Sequence, residues 1–386
     1  MRRWLRTALI GLIAIGPLSV WSEVQRESFD VMVPHAPIPV VTEDQVALIY
    51  ELHLTNFAAE PLLVRELRVI NPDNGKAIAS FEGSDLANRL ALVGGSILGE
   101  SKLPNTAIRP GGRAILFVEF GVNIGSVPKR LQHEIIYAAT GDNQVVALQS
   151  PIVAVNSIGP VVLGPPFRNG IWAAVHAPSW PRGHRRTTYT LLGKVRIPGR
   201  YAVDWMGLDE EGRTTHGDPD RPEDAIGYGA SVLAGADAEV ASVRDGVAES
   251  SSISNNPKHA LGYGAGNYVA LNLGSGRYAF YEHLRSGSIC VRAGQHVHRG
   301  QVIGALGFSG DTTGPHLHVH VADGANPLEA EGLPFVLDHY TEIGRYDDIG
   351  DLGRNKWKPL PTNVTPHSKV DWPGWNIVVR FEERPR

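Results

Sequence analysis

The sequence predicts an all-β protein of two domains, on three observations. Gly and Pro are both abundant, 43 and 27 of 386 residues, and they punctuate the chain at short intervals as turn residues do. Between them lie short runs in which apolar and polar residues alternate with the period of a strand. The length has room for two domains of ordinary size. The composition, 42% hydrophobic and 20% charged, is that of a globular protein. A net charge of −4 leaves no basic surplus of the kind a nucleic-acid partner needs.

The elements follow in chain order. Residues 1–22, "MRRWLRTALIGLIAIGPLSVWS", read as an export signal. Arg2, Arg3 and Arg6 form its positive end. The apolar stretch Ala8 to Val20, interrupted by Pro17, is short for a membrane span. The alternative is an uncleaved anchor, in which case membrane contact runs through this segment alone. Either way the body is expected outside the cytoplasm, in the periplasm, the cell envelope or the medium. Cys290 is the one cysteine, which leaves no intramolecular disulfide.

Residues 28–155 are expected to form one β-domain. In "VALIYELHLTNF" (46–57) Leu48, Tyr50, Leu52 and Leu54 alternate with Glu51, His53 and Thr55. "LRVINPDNGKAIASF" (67–81) is a strand, a turn and a strand. "RPGGRAILFVEF" (109–120) and "LQHEIIYAAT" (131–140) continue the series. This spacing suggests an immunoglobulin-like sandwich. His53 and His133 are expected on its surface. The stretch holds no catalytic constellation, so a binding or spacer role is the default. The Pro/Gly-rich residues 156–180 read as a linker, 181–340 as a second, glycine-rich β-domain, and 341–386 as a tail of loops packing on its surface.

The chemistry-bearing residues lie in the second domain. "GPHLHVH" (314–320) puts His316, His318 and His320 at every second position. On a strand they share one face, neighbours about 7 Å apart. A single ion cannot easily take all three, so a split into a ligand and a base fits the spacing better. Asp204 sits in "YAVDW", a run expected to be half buried. A buried carboxylate without a partner costs several kcal/mol. A bound cation would offset that cost, and a salt bridge to Arg186 or Arg200 is the alternative. "GHRR" supplies His184 and "FYEHLRSGS" supplies His283. With thiolates unavailable, a zinc site here would draw on imidazoles and a carboxylate. "VRAGQHVHRGQVIGALG" (291–307) brackets a turn with Gly294 and Gly300, with Val297 inward and His296 and His298 outward.

In this order, the stretches "GHRR", "YAVDW", "GYGASVLAGADAEVASVRDG" (227–246), "GNYVALNLGSGRYAFYEHL" (266–284) and "GSICVRAGQHVHRGQVIGALGFSGDTTGPHLHVHV" (287–321) resemble the lysostaphin-type zinc peptidases. These are peptidoglycan endopeptidases built on a duplicated hybrid motif β-fold. The resemblance implies zinc held by His184, Asp204 and His318, with His283 and His316 as catalytic histidines. The chemistry would be hydrolysis of an amide by metal-activated water, with peptidoglycan peptides as substrate. Two departures stand out. The first ligand pair of the family is usually close, as H-x-x-x-D, whereas here an insertion long enough for a hairpin separates His184 from Asp204, and His176 is an alternative first ligand. The position two after the ligand histidine, often acidic in the family, is His320, expected as a solvent-facing rim residue. The reading is therefore an exported zinc metalloendopeptidase. The alternative is a non-catalytic binding module of the same fold that regulates other wall hydrolases. Retention of all five residues favours catalysis.

Overall fold

The structure is a computed structural model that describes residues 28–94, 105–141, 144–361 and 368–382. The expected export segment, 1–22, lies outside the described residues. Strands dominate, and Gly83–Arg89 is the one α-helix among the described residues. No helix among them is long and apolar enough to cross a membrane. The all-β expectation holds.

The described residues from 28 to 154 fold as two antiparallel sheets. In one, Gln45–Asn56 lies between Phe29–Met32 and Arg113–Val122; in the other, Leu62–Asn71 lies between Lys76–Glu82 and Arg130–Ala139. Leu48, Tyr50, Leu52 and Leu54 meet Leu67, Val69, Ile135 and Tyr137 in a shared core, as their alternation predicts. Their polar neighbours behave differently from expectation. Glu51 and His53 are buried as well, because the outer face of this sheet is covered by the second domain. Ile49 joins a cluster with Tyr201 and Trp372, and Ile115 and Phe117 pack on Ile197. His133 is also buried, and it is a core residue. Its Nε2 lies 2.8 Å from the Tyr50 hydroxyl and its Nδ1 3.1 Å from Ser150 Oγ. A histidine with both nitrogens satisfied can be interred, so His53 and His133 correct the surface assignment.

The second domain is built on one large sheet. Its order runs Val161–Leu163, Phe335–Arg345, Ile377–Phe381, Gly170–Val175, Val203–Leu208, Leu317–Ala322, Tyr278–Leu284, Asn267–Asn272, Ala238–Arg244, His296–Val297. Residues 156–180, expected as linker, thus supply two strands, and 341–386, expected as loops, supplies an interior one. "GIWAAV" and "IVVRF" are short runs buried on both faces. Such runs show no alternation and escape a periodicity reading. Phe167 stacks on Trp172 at 3.6 Å, and Phe381 lies 5.3 Å from the Trp205 ring, so these segments seal the core behind the Asp204 strand. The stretch between His184 and Asp204 does contain a hairpin, Tyr189–Leu191 with Lys194–Arg196. Its two-residue tip, Leu192 and Gly193, has positive φ at both positions, as tight hairpins require.

Candidate active site

The strand Leu317–Ala322 lies between Val203–Leu208 and Tyr278–Leu284. Register sets His318 opposite Asp204 on one side and opposite Glu282 on the other. Cross-strand partners share a face, so an aspartate, a histidine and a glutamate stand side by side. Period two adds His316 and His320 to the same face. His184 comes from outside this sheet. It opens the short turn His184–Arg186, which packs on a second turn, Pro198–Tyr201. Close approach of the two turns needs Gly199, where a Cβ would lie 2.6 Å from His184 Cβ.

The side chains converge. His184 Nε2 is 2.8 Å from Asp204 Oδ2, and His318 Nδ1 is 2.9 Å from Asp204 Oδ1. One ligand atom from each of His184, Asp204 and His318 lies within 4.8 Å of the others. His316 Nε2 is 3.4 Å from Asp204 Oδ1. Strand alternation would turn His283 away from Glu282, to the other face. A register shift, in which Tyr281 to Leu284 opposes Val269 to Asn267, inserts an extra residue there. His283 takes φ +61°, a conformation that a non-glycine residue adopts only under constraint. The bulge re-aims it, and its ring comes within 4.8 Å of the His316 ring. Its backbone N–H donates to Ala265 O at 3.1 Å and its Nδ1 to Ser309 O at 2.9 Å. All five residues picked out by the sequence therefore meet in one cluster of side chains.

The alternatives lie elsewhere. His176 is buried against Trp372 with its Nε2 donating to Pro373 O at 2.9 Å, outside the converging group. Arg200 pairs with Glu51 and Glu331, and Arg186 lies over the Phe117 ring and donates to Asn88 O. Neither arginine meets Asp204. His320 is not a rim residue: it is 2% exposed, stacks on Phe280 at 4.6 Å, and sets its Nδ1 3.1 Å from His318 Nε2. The inward face of a strand with neighbours on both sides leaves it no route to solvent. Glu282 was missed, although an acid inside "YAFYEHL" carries the same signal as Asp204 in "YAVDW". Glu282, His318 and His320 also bring ligand atoms within 4.8 Å.

Charge is concentrated on Asp204. Burial would raise its carboxyl, but His184 and His316 hold it well below the ordinary carboxylate value. Burial likewise opposes protonation of His184 and His316, and Asp204 more than compensates, raising both. Burial lowers His318 to about 4 and pushes Glu282 up to about 8. An anionic carboxylate between two imidazoles, with a third imidazole alongside, is a donor set suited to zinc, which takes nitrogen and oxygen ligands and keeps a position open in catalytic sites.

Comparison with known proteins places part of the chain in a known family's range. Residues 225–330 match peptidase family M23, which bears out the resemblance read from the sequence. Over 66 residues the chain is 44% identical to the peptidoglycan DD-endopeptidase ShyA of Vibrio cholerae serotype O1. That stretch is 17% of this chain and 15% of the relative, so the chain spans a small part of the curated relative's length. Similar solved structures include the catalytic domain of the antimicrobial peptidase lysostaphin from Staphylococcus simulans, 19% identical over 43% of this chain and 88% of that one, TM-score 0.23. A zinc-containing peptidase from Vibrio cholerae is 17% identical over 78% of this chain and 86% of that one, TM-score 0.24. The family segment contains His283, His316 and His318, while His184 and Asp204 precede it and join the same cluster through the fold.

Proposed function

We propose that this protein is an exported zinc metalloendopeptidase that hydrolyses peptide cross-links of bacterial peptidoglycan. One observation carries the reading: the ligand atoms of His184, Asp204 and His318, drawn from three separate stretches, lie within 4.8 Å of one another. These three residues would hold the ion. When bound, zinc supplies a Lewis acid that polarises the scissile carbonyl and brings a coordinated water's pKa to about 7.

The chain's own histidines handle protons. A carbonyl oxygen only accepts, so the His316 Nδ1 that meets Gly314 O at 2.9 Å carries the proton. Its Nε2 then carries the lone pair, buried and making no hydrogen bond, with Asp204 Oδ1 3.4 Å away to stabilise the imidazolium once a proton is gained. This Nε2 is the base for the attacking water, and the proton it gains is available to the departing amine. His283 is fixed in the same tautomer by Ser309 O. Burial and the neighbouring imidazoles of His316 and His318 keep it neutral, well below the ordinary histidine value, so its free Nε2 adds a second acceptor beside His316.

Zinc content of the purified protein and digestion of defined muropeptides, with and without a chelator, test the proposal. One zinc per chain and chelator-sensitive cleavage of a peptide bond are expected. Absence of both would instead assign the chain to the non-catalytic binding modules.

A further inference from the structure

Glu51 stands on the strand Gln45–Asn56, on the face turned toward the second domain, and its side chain is 3% exposed. It has two buried cationic partners. Arg185 Nε donates to its Oε1 at 3.0 Å and Arg200 Nε to its Oε2 at 2.9 Å. The remaining guanidinium nitrogens are also engaged. Those of Arg185 donate to Tyr50 O, Val118 O and Glu119 Oε2 at 2.8, 2.7 and 3.0 Å. Those of Arg200 donate to Gly332 O and Glu331 Oε2 at 3.0 and 2.9 Å. Acids and bases alternate through this network, which is how buried charge is tolerated.

The location of the two arginines gives the network its consequence. Arg185 is the residue after His184, on the same three-residue turn. Arg200 is on the turn that backs His184 through Gly199, four residues before Asp204. Tyr201, next along, donates its hydroxyl to Ile49 O of the sandwich at 3.0 Å. A single 3₁₀ turn has too few internal hydrogen bonds to fix a side chain by itself. His184 is the most exposed of the three ligand candidates, at 38%, and its imidazole hydrogen-bonds only Asp204 among the described side chains. The rigidity of its turn therefore comes from what Arg185 and Arg200 grip.

We infer that Glu51 is a positioning residue for the metal site: through Arg185 and Arg200 it holds the turn that carries His184, which makes the N-terminal sandwich part of the peptidase site. The inference rests on the zinc-site reading above. It replaces the spacer role that the sequence alone suggests for this domain.

The test uses the full chain, with Glu43 as control. Glu43 pairs with Arg345 and joins the same two domains away from the ligand turn. Zinc affinity is measured by competition with a chromogenic chelator for wild type, Glu51→Gln and Glu43→Gln, alongside kcat and KM at limiting and saturating zinc. Glu51→Gln should weaken zinc binding by about 10-fold or more, the usual effect of removing a residue that orients a ligand, and saturating zinc should restore much of its kcat. Glu43→Gln should stay within about twofold of wild type, the level expected of a partly exposed ion pair. Equal zinc affinity in wild type and Glu51→Gln, or equal losses in both variants, would overturn the inference. A wild-type chain that binds no zinc would instead remove the site reading on which it stands. Should Glu51→Gln fail to fold, Arg185→Lys is measured in its place. It keeps the charge beside Glu51 and loses the fork onto Tyr50 and Val118, so weakened zinc supports the inference and unchanged zinc overturns it.

Discussion

His316 and His318 are two positions apart, one just before a strand and the other on it, and their different neighbours suit them to different work on the proposed mechanism. His316 commits Nδ1 to Gly314 O and leaves Nε2 without a hydrogen bond, 3.4 Å from Asp204 Oδ1. His318 turns Nδ1 to Asp204 and has its Nε2 beside His320. On the proposed mechanism, His318→Ala should lose bound zinc, while His316→Gln should retain zinc and lose roughly 10²- to 10⁴-fold in cleavage rate, the usual contribution of a general base. Zinc per chain and muropeptide turnover, measured on the same preparations, separate the two roles. At this scale the sequence was informative where burial and charge conflict. Asp204 stood out because a carboxylate inside an apolar run demands a partner. Which of the candidates would be that partner was not readable, since Arg200 is as near in sequence as any histidine is far. His320 was misread because a histidine's alternation says which face it occupies and not whether that face is covered.

Among the elements, the bulge that presents His283 depends on a neighbouring glycine. Gly266 has φ +62°, and a Cβ there would lie 2.3 Å from Ser309 O, the carbonyl that fixes His283 Nδ1. Gly266→Ala should therefore destabilise the fold by roughly 2 kcal/mol or more and, on the proposed mechanism, lower cleavage while zinc, which other residues would hold, stays bound. Thermal melts with metal analysis check both halves. The sandwich carries a pH-sensitive element of its own. Burial lowers His133 from 6.5 to about 4. Between those values the unfolded chain takes up a proton that the folded one refuses. Stability is therefore full above about pH 6.5 and falls as pH drops toward 4, by roughly 3 kcal/mol in all. Denaturant melts at pH 7 and pH 4.5 should show the loss, and His133→Gln should reduce the difference. Strands with one wet face, such as Arg130–Ala139, were legible from alternation. Gly170–Val175 and Ile377–Phe381 were not, because a strand covered on both sides has no polar face to betray it.

At the scale of the whole molecule, metal and fold are linked. If His184, Asp204 and His318 hold zinc, the ion binds the folded chain and stabilises it, by about 4 kcal/mol at a free zinc concentration 1,000 times its Kd. A chelator should lower the melting temperature of wild type and leave that of His318→Ala unchanged, as calorimetry would record. Between the N-terminal sheets and the large sheet lies a buried, charged interface, Glu51 with Arg185 and Arg200, that no local pattern announces. Glu51 alternates with leucines as any solvent-facing residue would, and only the fold reveals that a second domain lies over it.

The strand Ile377–Phe381 runs between Phe335–Arg345 and Gly170–Val175, and the latter in turn supports Val175 against Asp204. A nascent chain stalled anywhere before residue 377 leaves that support with an open edge. The frame behind Asp204 is therefore completed by residues far along the chain from it, and a chain made only as far as His318 carries the candidate ligands without that frame.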